Sequence, residues 1–316
     1  MAEQTTSAKE KVQGSSAATR AMPLLVNAKA GKLHRHASPD KLRKLCEELG
    51  LDVRVVETTS PEHVREVIKG LRDAGEPRLA LAGGDGTIHH AVQQIAHSEM
   101  AVGIIPQGTA NNFATALGIP MELPDAIQAL RKGVPHAVDL GFVAGEYFTE
   151  SAGVGLFSDA LAIHGKADKN PFHALRAVLF VAFSMRSRRI KLIVDGKVLE
   201  ERAVMCTAAN TNRIGLRIPV APDAKVDDRV FDLVILGDLH RHELLRYWRA
   251  IRAERHTELP KVKVLCGRRI EIESPHRSIV HCDDHVVGRT PACIELHPGA
   301  LQVLLDPDRP VSGPKA

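Results

Sequence analysis

Glycine-containing segments in the first half of the chain have the composition needed to hold the phosphates of a nucleotide. They are Asn27–Lys32, Gly83–Thr87 and Pro106–Asn112, and each follows a short apolar run. Glycine lets backbone N–H groups approach a phosphate without interference from a Cβ atom, and a helix beginning just after the loop favours negative charge at its N-terminus. A single loop of this kind is more often an ordinary turn, but three together indicate a nucleotide site.

Asp85, in the centre of Gly83–Thr87, is unusual for a site that only binds anions. A carboxylate repels phosphates unless a divalent cation or a proton lies between them. We therefore expect Asp85 to act through Mg²⁺ or to accept a proton. The chain has neither a Walker A sequence nor the Gly-x-Gly-x-x-Gly pattern, so P-loop and dinucleotide-binding chemistry are not indicated.

The elements around these loops alternate between strands and helices. The predicted strands are Met22–Val26, Val53–Val56, Leu79–Ala82 and Ala101–Ile105. Ser38 and Ser60, each followed by proline and an acid, predict the starts of two helices. This alternation predicts an α/β domain with a doubly wound parallel sheet. Ligands of such sheets bind at the carboxyl ends of the strands, where the three loops lie.

The pattern changes in the second half of the chain. Asp195-Gly196 lies between two alternating runs, Arg189–Val194 and Ala203–Thr207, and predicts a hairpin turn. The further alternating runs are Val230–Leu236, Lys261–Leu265, Arg269–Glu273, Ile279–Cys282, Ala292–Leu296 and Leu301–Leu305. Two predicted helices, about Phe172–Ser187 and His242–Arg255, interrupt these runs. The sequence therefore predicts a mainly antiparallel β-sandwich.

Two domains follow, with a boundary near residue 140. We expect a nucleotide-binding α/β domain over residues 22–140 and a β-rich substrate domain over residues 141–306. Residues 1–21 are predicted to form a disordered tail, and residues 307–316 form a second tail.

The bulk composition excludes several classes of protein. The chain has 316 residues, of which 44% are hydrophobic and 25% charged, as in an ordinary globular protein. Its net charge of +4 favours an anionic ligand or membrane surface, but the basic residues are too dispersed and the aromatics too few for a nucleic-acid binder. No apolar run approaches the roughly 20 residues of a transmembrane helix, and the N-terminus lacks the apolar region of a signal peptide. With five scattered cysteines, we expect a cytoplasmic protein with free thiols that can visit a membrane surface.

At the three glycine-containing segments the sequence resembles the diacylglycerol kinase catalytic-domain family of soluble bacterial lipid kinases, which are relatives of sphingosine and ceramide kinases. Asn27-x-x-x-Gly31 looks like that family's opening segment, Gly83–Thr87 is similar to its nucleotide loop, and Pro106–Ala114 looks like its second signature. The segments similar to its second domain are Val138–Gly141, Asn210 and Ala221–Asp228. The resemblance covers residues 22–306. NAD kinases share the Gly83–Thr87 loop, so the resemblance becomes specific only together with Pro106–Ala114 and Ala221–Asp228.

The resemblance implies an ATP- and Mg²⁺-dependent lipid kinase with ATP in the cleft between two domains. The residues implied to contact the nucleotide are Asn27, Gly31, Thr58, Gly83, Gly84, Asp85, Gly86, Thr87, Gly108, Thr109 and Asn111. Asp283 aligns with the carboxylate that takes the proton of the acceptor hydroxyl, and Asp85 is the competing candidate. A Mg²⁺ site is implied at Asp223, Asp227 and Asp228, although Arg229 replaces the usual glycine there.

Three places depart from the family's pattern. His89 and His90 stand where Asn and Glu usually follow the nucleotide loop. Asn112 replaces a common Asp. The usual Asp-Gly-Glu around the base reads Asp283-Asp284-His285 here, so the base is kept while the glycine and the glutamate are lost.

A zinc site is a competing interpretation of the last departure. In an extended strand His281, Asp283 and His285 would share a face, and three nitrogen and oxygen ligands could hold Zn²⁺. We favour the simpler interpretation of a strand end carrying one catalytic aspartate.

The acceptor is expected to be the hydroxyl of a diacylglycerol-like lipid. The Phe172–Ser187 helix is apolar over most of its circumference, which fits burial against the sandwich or the wall of a lipid-chain pocket. The basic His242–Arg255 helix, with Trp248, fits peripheral membrane contact and an ordinary solvated helix nearly equally. A kinase of a soluble acceptor, such as NAD or a polyol, and a non-catalytic nucleotide- or lipid-binding protein are the alternatives. The sequence leaves a homodimer open.

Overall fold

The structure is a computed structural model that describes residues 21–27, 37–164, 186–309 and 311. Gly31, and the predicted Phe172–Ser187 helix as far as residue 185, lie outside these ranges. Within them, no helix is long and apolar enough to span a lipid bilayer.

The first half of the chain forms parallel strands with helices between them, as predicted. The strands are β1 (Met22–Asn27), β2 (Val53–Thr58), β3 (Arg78–Gly83) and β4 (Ala101–Pro106), in the spatial order β2-β1-β3-β4. The helices are α1 (Pro39–Glu48), α2 (Pro61–Asp73), α3 (Asp85–Ile95), α4 (Asn112–Ala116) and α5 (Leu123–Lys132). The predicted serine caps are confirmed, because Ser38 and Ser60 accept backbone N–H groups at the starts of α1 and α2.

Apolar residues on both faces of this sheet bury it between the helices. Leu25 of β1 packs in one cluster with Ile88 of α3. Leu24, its neighbour, points to the other face and packs with Leu42 of α1 and Ile127 of α5. Strands covered on both faces are apolar throughout rather than alternating, which accounts for the continuous apolar runs in the sequence.

The second half is mainly antiparallel, which confirms the predicted fold class. Its strands are β5 (Val134–Val143), β6 (Glu146–Phe148), β7 (Ser151–Gly155), β8 (Arg188–Val194), β9 (Lys197–Ala209), β10 (Arg213–Ile214), β11 (Ile218–Pro219), β12 (Phe231–Gly237), β13 (Val262–Gly267), β14 (Arg269–Glu273), β15 (Ile279–Cys282), β16 (His285–Arg289) and β17 (Ala292–Leu305). The predicted hairpin joins β8 and β9, and both Asp195 (φ 47°) and Gly196 (φ 83°) have the positive φ that its turn requires. The helices are α6 (Leu156–His164) and α7 (Leu244–Arg252). The predicted His242–Arg255 helix is thus shorter, because a 3₁₀ turn, Arg241–Glu243, precedes α7.

The last strand joins the two halves of the molecule. The prediction of separate strands at Ala292–Leu296 and Leu301–Leu305 is wrong, since both belong to β17. The pairing of β17 with β5 shifts register between His297 and Leu301, which is why the sequence looks interrupted there. Beyond the shift β17 also pairs in parallel with β4, through Gln302 and Ala101. The sandwich and the parallel sheet are therefore continuous through β17, and the domain boundary near residue 140 stays a prediction.

Candidate active site

The two described glycine loops lie against each other at the carboxyl ends of β3 and β4. A Cβ atom on Gly84 would lie 2.6 Å from the Cα of Gly108, and one on Gly108 would lie 2.6 Å from the Cα of Gly84. Real Cβ atoms do not come this close to backbone, so both positions require glycine. A backbone bond from the N–H of Gln107 to the carbonyl of Gly83 (2.9 Å) joins the loops as well. The two loops therefore form a single unit.

Asn111 shapes the second loop from within. Its backbone is left-handed (φ 51°), a conformation that asparagine tolerates better than most residues. Its side-chain oxygen accepts the N–H of Gly108 (2.8 Å), and its amide donates to the carbonyl of Gly108 (3.1 Å). The predicted ligand residue Asn111 is thus also the brace that holds Gly108 against Gly84.

Asp85 connects the first loop to the helix after the second. One carboxylate oxygen accepts the backbone N–H of Phe113 in the first turn of α4 (3.2 Å). Burial is the main cause that raises the pKa of Asp85, and the nearby charge of Asp283 adds to it. A group with this environment is costly to ionise without a cation close by.

Asp283 lies at the turn between β15 and β16, in a left-handed backbone conformation (φ 48°). One of its carboxylate oxygens accepts the N–H of Glu150 (2.8 Å) and of Ser151 (3.3 Å). The other accepts the N–H of Thr149 (3.2 Å). The side-chain amide of Asn210 stabilises the segment that carries these N–H groups by donating to the carbonyl of Thr149 (3.0 Å). The carboxylate is therefore fixed in position, although only 7% of the residue is exposed.

His89 links Asp283 to the helix that follows the Gly83–Thr87 loop. It lies in α3, the helix that begins at Asp85, and donates its Nδ1–H to the second oxygen of Asp283 (2.9 Å). The two departures noted in the sequence, at His89 and around Asp283, therefore meet in space. His90 faces the other way, with Nδ1 lying 3.2 Å from a guanidinium nitrogen of Arg65.

Glu150 is a site residue that the sequence analysis missed. It is 5% exposed, and its carboxylate accepts the side-chain amide of Asn112 (2.9 Å) and the N–H of Gly215 (3.2 Å). Burial first, then the charges of Asp85 and Asp283, hold the pKa of Glu150 well above its usual value. Asn112 in place of aspartate is explained by this contact, since two carboxylates would otherwise meet. The sequence offered no clear signal, because Glu150 lies between Thr149 and Ser151 in the connection between β6 and β7.

The proposed grouping of His281, Asp283 and His285 is wrong. Strand β15 ends at Cys282, and the left-handed Asp283 breaks the alternation on which that grouping rested. His281 points toward α6, where its Nδ1 lies 2.8 Å from the hydroxyl of Ser158, and burial lowers its pKa to about 4. His285 instead lies beside His89, with ring centroids 4.8 Å apart, and its Nε2 is 2.8 Å from a carboxylate oxygen of Glu146.

The other residues predicted to contact the nucleotide differ in how far they are exposed to solvent. Thr58 is buried, and its hydroxyl donates to the carbonyl of Val26 (3.4 Å), so its side chain stabilises the sheet. Asn27 ends β1 on the same side as the loops. Thr87 packs against Gly83, and Thr109 is an exposed residue of the second loop. A Cβ on Gly86 would meet no atom within 4 Å, which leaves open space above the loop.

Asp223, Asp227 and Asp228 lie in the loop before β12. Asp227 is 3.0 Å from Nε2 of His136, and Asp228 accepts the N–H of Val230 (3.3 Å). In the described part of the chain the three aspartates do not form a group with ligand atoms within 4.8 Å of one another. The Mg²⁺ site at this loop stays a prediction.

A cavity of about 450 Å³ opens next to the Asp283 turn. It lies between α6 and the β15–β16 hairpin, and its apolar lining includes Leu161, Ile279 and Val286. Asp284 and His285 line its polar end. The cavity could therefore take an apolar group whose polar end lies near Asp283.

Comparisons with known proteins identify relatives for both halves of the chain. Residues 21–143 match the family model for the diacylglycerol kinase catalytic domain, and residues 151–305 match the model for a YegS C-terminal NAD kinase beta sandwich-like domain. A diacylglycerol kinase from Bacillus subtilis (strain 168) is 31% identical over 208 residues, which cover 61% of this chain and 69% of the relative. One from Staphylococcus saprophyticus is 27% identical over 275 residues, which cover 85% of this chain and 90% of the relative. The crystal structure of a diacylglycerol kinase from Bacillus anthracis has the same fold, with a TM-score of 0.70 at 21% identity over 92% of this chain and 98% of that chain.

Proposed function

The chain belongs to the diacylglycerol kinase family of ATP-dependent lipid kinases, and we propose that its paired glycine loops hold the triphosphate while Asp283 accepts the proton of a lipid hydroxyl. The observation that carries this proposal is the bond between His89 and Asp283 (2.9 Å). Because His89 lies in the helix that begins in the nucleotide loop, this bond brings the base beside the phosphate site. The sequence alone placed these residues 194 positions apart.

The glycine loops supply the phosphate site. Gly84 and Gly108 bring two segments of backbone together, and Gly86 leaves the space that a bound phosphate needs. Helix α3 begins at Asp85 with its cap at Gly84, so its N-terminal N–H groups point toward that space. These features favour a polyanionic ligand at the loops.

Mg²⁺ fits beside Asp85. Its ligands are oxygens of carboxylates and phosphates, and Asp85 is a carboxylate whose ionised form is disfavoured by burial, so a cation would offset that cost. When bound, Mg²⁺ neutralises the charge that develops on the phosphates during transfer. We assign Asp85 to this role and Asp283 to proton removal, since Asp283 directly precedes Asp284, which lines the cavity.

Proton removal from the acceptor needs only a modest base. Phosphoryl transfer passes through a loose transition state, so the hydroxyl proton leaves late. Backbone donors from Thr149, Glu150 and Ser151, with His89, orient the Asp283 carboxylate, and none of them competes with it for the acceptor's proton. A fixed orientation is what general-base catalysis requires.

A lipid acceptor accounts for the cavity beside this turn. Its apolar lining suits the acyl region of a diacylglycerol-like alcohol, and its polar lining residues Asp284 and His285 directly follow Asp283 in the chain. Ile163 of α6 and Val286 of β16 are also exposed large apolar residues near the cavity. Exposed apolar residues at a cavity mouth suit a substrate that arrives from a membrane.

Helix α7 supports peripheral contact with a membrane. Its Tyr247 is buried, whereas Leu245 and Trp248 are exposed. Arg249 and Arg252 are exposed on the same helix. An exposed tryptophan and leucine with arginines beside them fit the interface of an anionic bilayer.

The test is transfer of the labelled γ-phosphoryl group of ATP to defined acceptors. We expect label in diacylglycerol presented in anionic vesicles, and only background label in glycerol, NAD or a polyol. Equal labelling of a soluble acceptor would contradict the lipid assignment. In the same assay, Leu245→Ser with Trp248→Ser should reduce transfer on vesicles but not in detergent micelles, because micelles remove the need for membrane binding. An equal loss in both would show that α7 acts in another way.

A further inference from the structure

A group of three potential metal ligands lies beside the base. In the described residues, the ligand atoms of His89, Glu146 and His285 all lie within 4.8 Å of one another. They come from three separate elements, α3, β6 and β16. The group is distinct from the carboxylates assigned to nucleotide and Mg²⁺ binding.

His89 faces a second carboxylate besides that of Asp283. Its Nδ1 is bonded to Asp283 (2.9 Å), and its Nε2 lies 3.4 Å from a carboxylate oxygen of Glu146. Either a hydrogen bond or a metal ion can join two atoms placed in this way.

The distances suit a tetrahedral ion. Bonds of about 2.0 to 2.1 Å at a tetrahedral angle put neighbouring ligand atoms about 3.3 Å apart. Nε2 of His89 lies 3.4 Å from Oε2 of Glu146, and Nε2 of His285 lies 2.8 Å from the same oxygen. The ligand atoms of His89 and His285 lie within 4.8 Å of one another, so binding an ion requires a movement of His285, whose side chain is 29% exposed.

His89 also has a second partner of the kind found at metal sites, and His285 has a carboxylate nearby that is beyond hydrogen-bond distance. Metal-binding histidines typically donate their other ring N–H to a carboxylate, which fixes the ring and raises its basicity. His89 does this with Asp283 (2.9 Å). Nδ1 of His285 lies 3.6 Å from a carboxylate oxygen of Asp284. The ligand nitrogens are thus both Nε2, and both point toward Glu146.

We propose that His89, Glu146 and His285 form a binding site for a borderline-soft divalent cation, Zn²⁺ in the first instance. Two imidazoles and one carboxylate are ligands that Zn²⁺ accepts and Mg²⁺ disfavours. Glu146 is half-exposed (42%), so a fourth position faces solvent. His89 would connect the ion to Asp283, because its Nε2 would bind the ion while its Nδ1 is bonded to the carboxylate.

The test measures Zn²⁺ binding by calorimetry, without nucleotide or lipid and with Mg²⁺ in excess. We expect one Zn²⁺ per chain. Loss of a residue that only orients a metal ligand weakens zinc sites by about 10- to 100-fold. Glu146→Gln and His285→Gln each remove a ligand itself, so each should weaken binding by about 100-fold or more. Thermal unfolding without metal checks that both variants fold. Because no turnover is measured, the result is independent of the kinase proposal.

Two control variants separate this site from other metal-binding groups. His240→Gln removes an exposed histidine elsewhere, and Cys266→Ser removes an exposed thiol; both should bind Zn²⁺ like the wild type. Three results would each overturn the proposal. They are unchanged affinity in Glu146→Gln and His285→Gln, loss of binding in Cys266→Ser, and no stoichiometric binding by the folded wild type. The last outcome would mean that a proton closes the contact between His89 and Glu146.

Discussion

The paired glycine loops and the Asp283 turn are built in different ways. Within the second loop the bonds are local: Asn111 bonds to Gly108, three residues away. At the turn, each described hydrogen-bond partner of the Asp283 side chain comes from 132 to 194 residues away. The loops depend on the absence of side chains at Gly84 and Gly108, whereas the turn depends on a carboxylate that meets backbone N–H groups and a histidine from distant segments. Added side-chain volume should therefore damage the first region, and changes in charge the second.

The largest effect should come from adding a methyl group between the loops. In Gly108→Ala the new Cβ would meet the Cα of Gly84 at 2.6 Å and the side chain of Asn111 at 2.5 Å. The loops must separate, and a displacement of about 1 Å at a reacting centre costs about 100-fold in rate. We expect both ATP affinity and transfer to fall by about 100-fold, as measured by calorimetry and label transfer.

Gly70→Ala is the matched control. Gly70 lies in the middle of α2, and a Cβ there meets no atom within 4 Å. Alanine should stabilise the helix by about 0.5 to 1 kcal/mol and leave ATP affinity unchanged. Normal ATP binding in Gly108→Ala would show that the loops do not need their close contact.

A smaller effect, on stability alone, should come from the buried acid at the turn. The pKa of Glu150 is held above its usual 4.5, so the folded protein keeps this proton at a pH where the unfolded chain has released it. The stability of the wild type is therefore expected to fall as pH rises from about 4.5 until the folded carboxyl ionises. Gln does not titrate and can still accept the bonds from Asn112 and Gly215.

Glu150→Gln should consequently gain stability relative to the wild type across that pH window, as measured by denaturant unfolding at several pH values. A constant difference between the two proteins from pH 4.5 upward would contradict the buried, protonated state of this acid. That result would also contradict the expectation that changes in charge act on the region around the Asp283 turn.

The same contrast explains what the sequence could predict. The parallel strands, their capped helices and the glycine loops follow from local patterns, and the structure confirms the strands, the two capped helices and the loops at Gly83–Thr87 and Pro106–Asn112, whereas Asn27–Lys32 lies outside the described residues after Asn27. Glu146 and Glu150 were missed because neither belongs to a pattern; Glu150 owes its environment to Asn112 and Gly215, which are distant in the chain. The length of β17 was missed because its register shift resembles a turn. The His281, Asp283 and His285 grouping failed because alternation ends at a left-handed residue.

The most direct test of the account is to measure ATP affinity and phosphoryl transfer together in Asp283→Asn. General-base catalysis typically contributes 10²- to 10⁴-fold, so we expect transfer to diacylglycerol to fall by about 100-fold or more while ATP affinity stays within about threefold of the wild type. Asp195→Asn is the control, because Asp195 is also a left-handed aspartate at a hairpin turn that accepts backbone N–H groups, and it should keep both properties. Transfer by Asp283→Asn at the wild-type rate would contradict the assignment of Asp283 as the base.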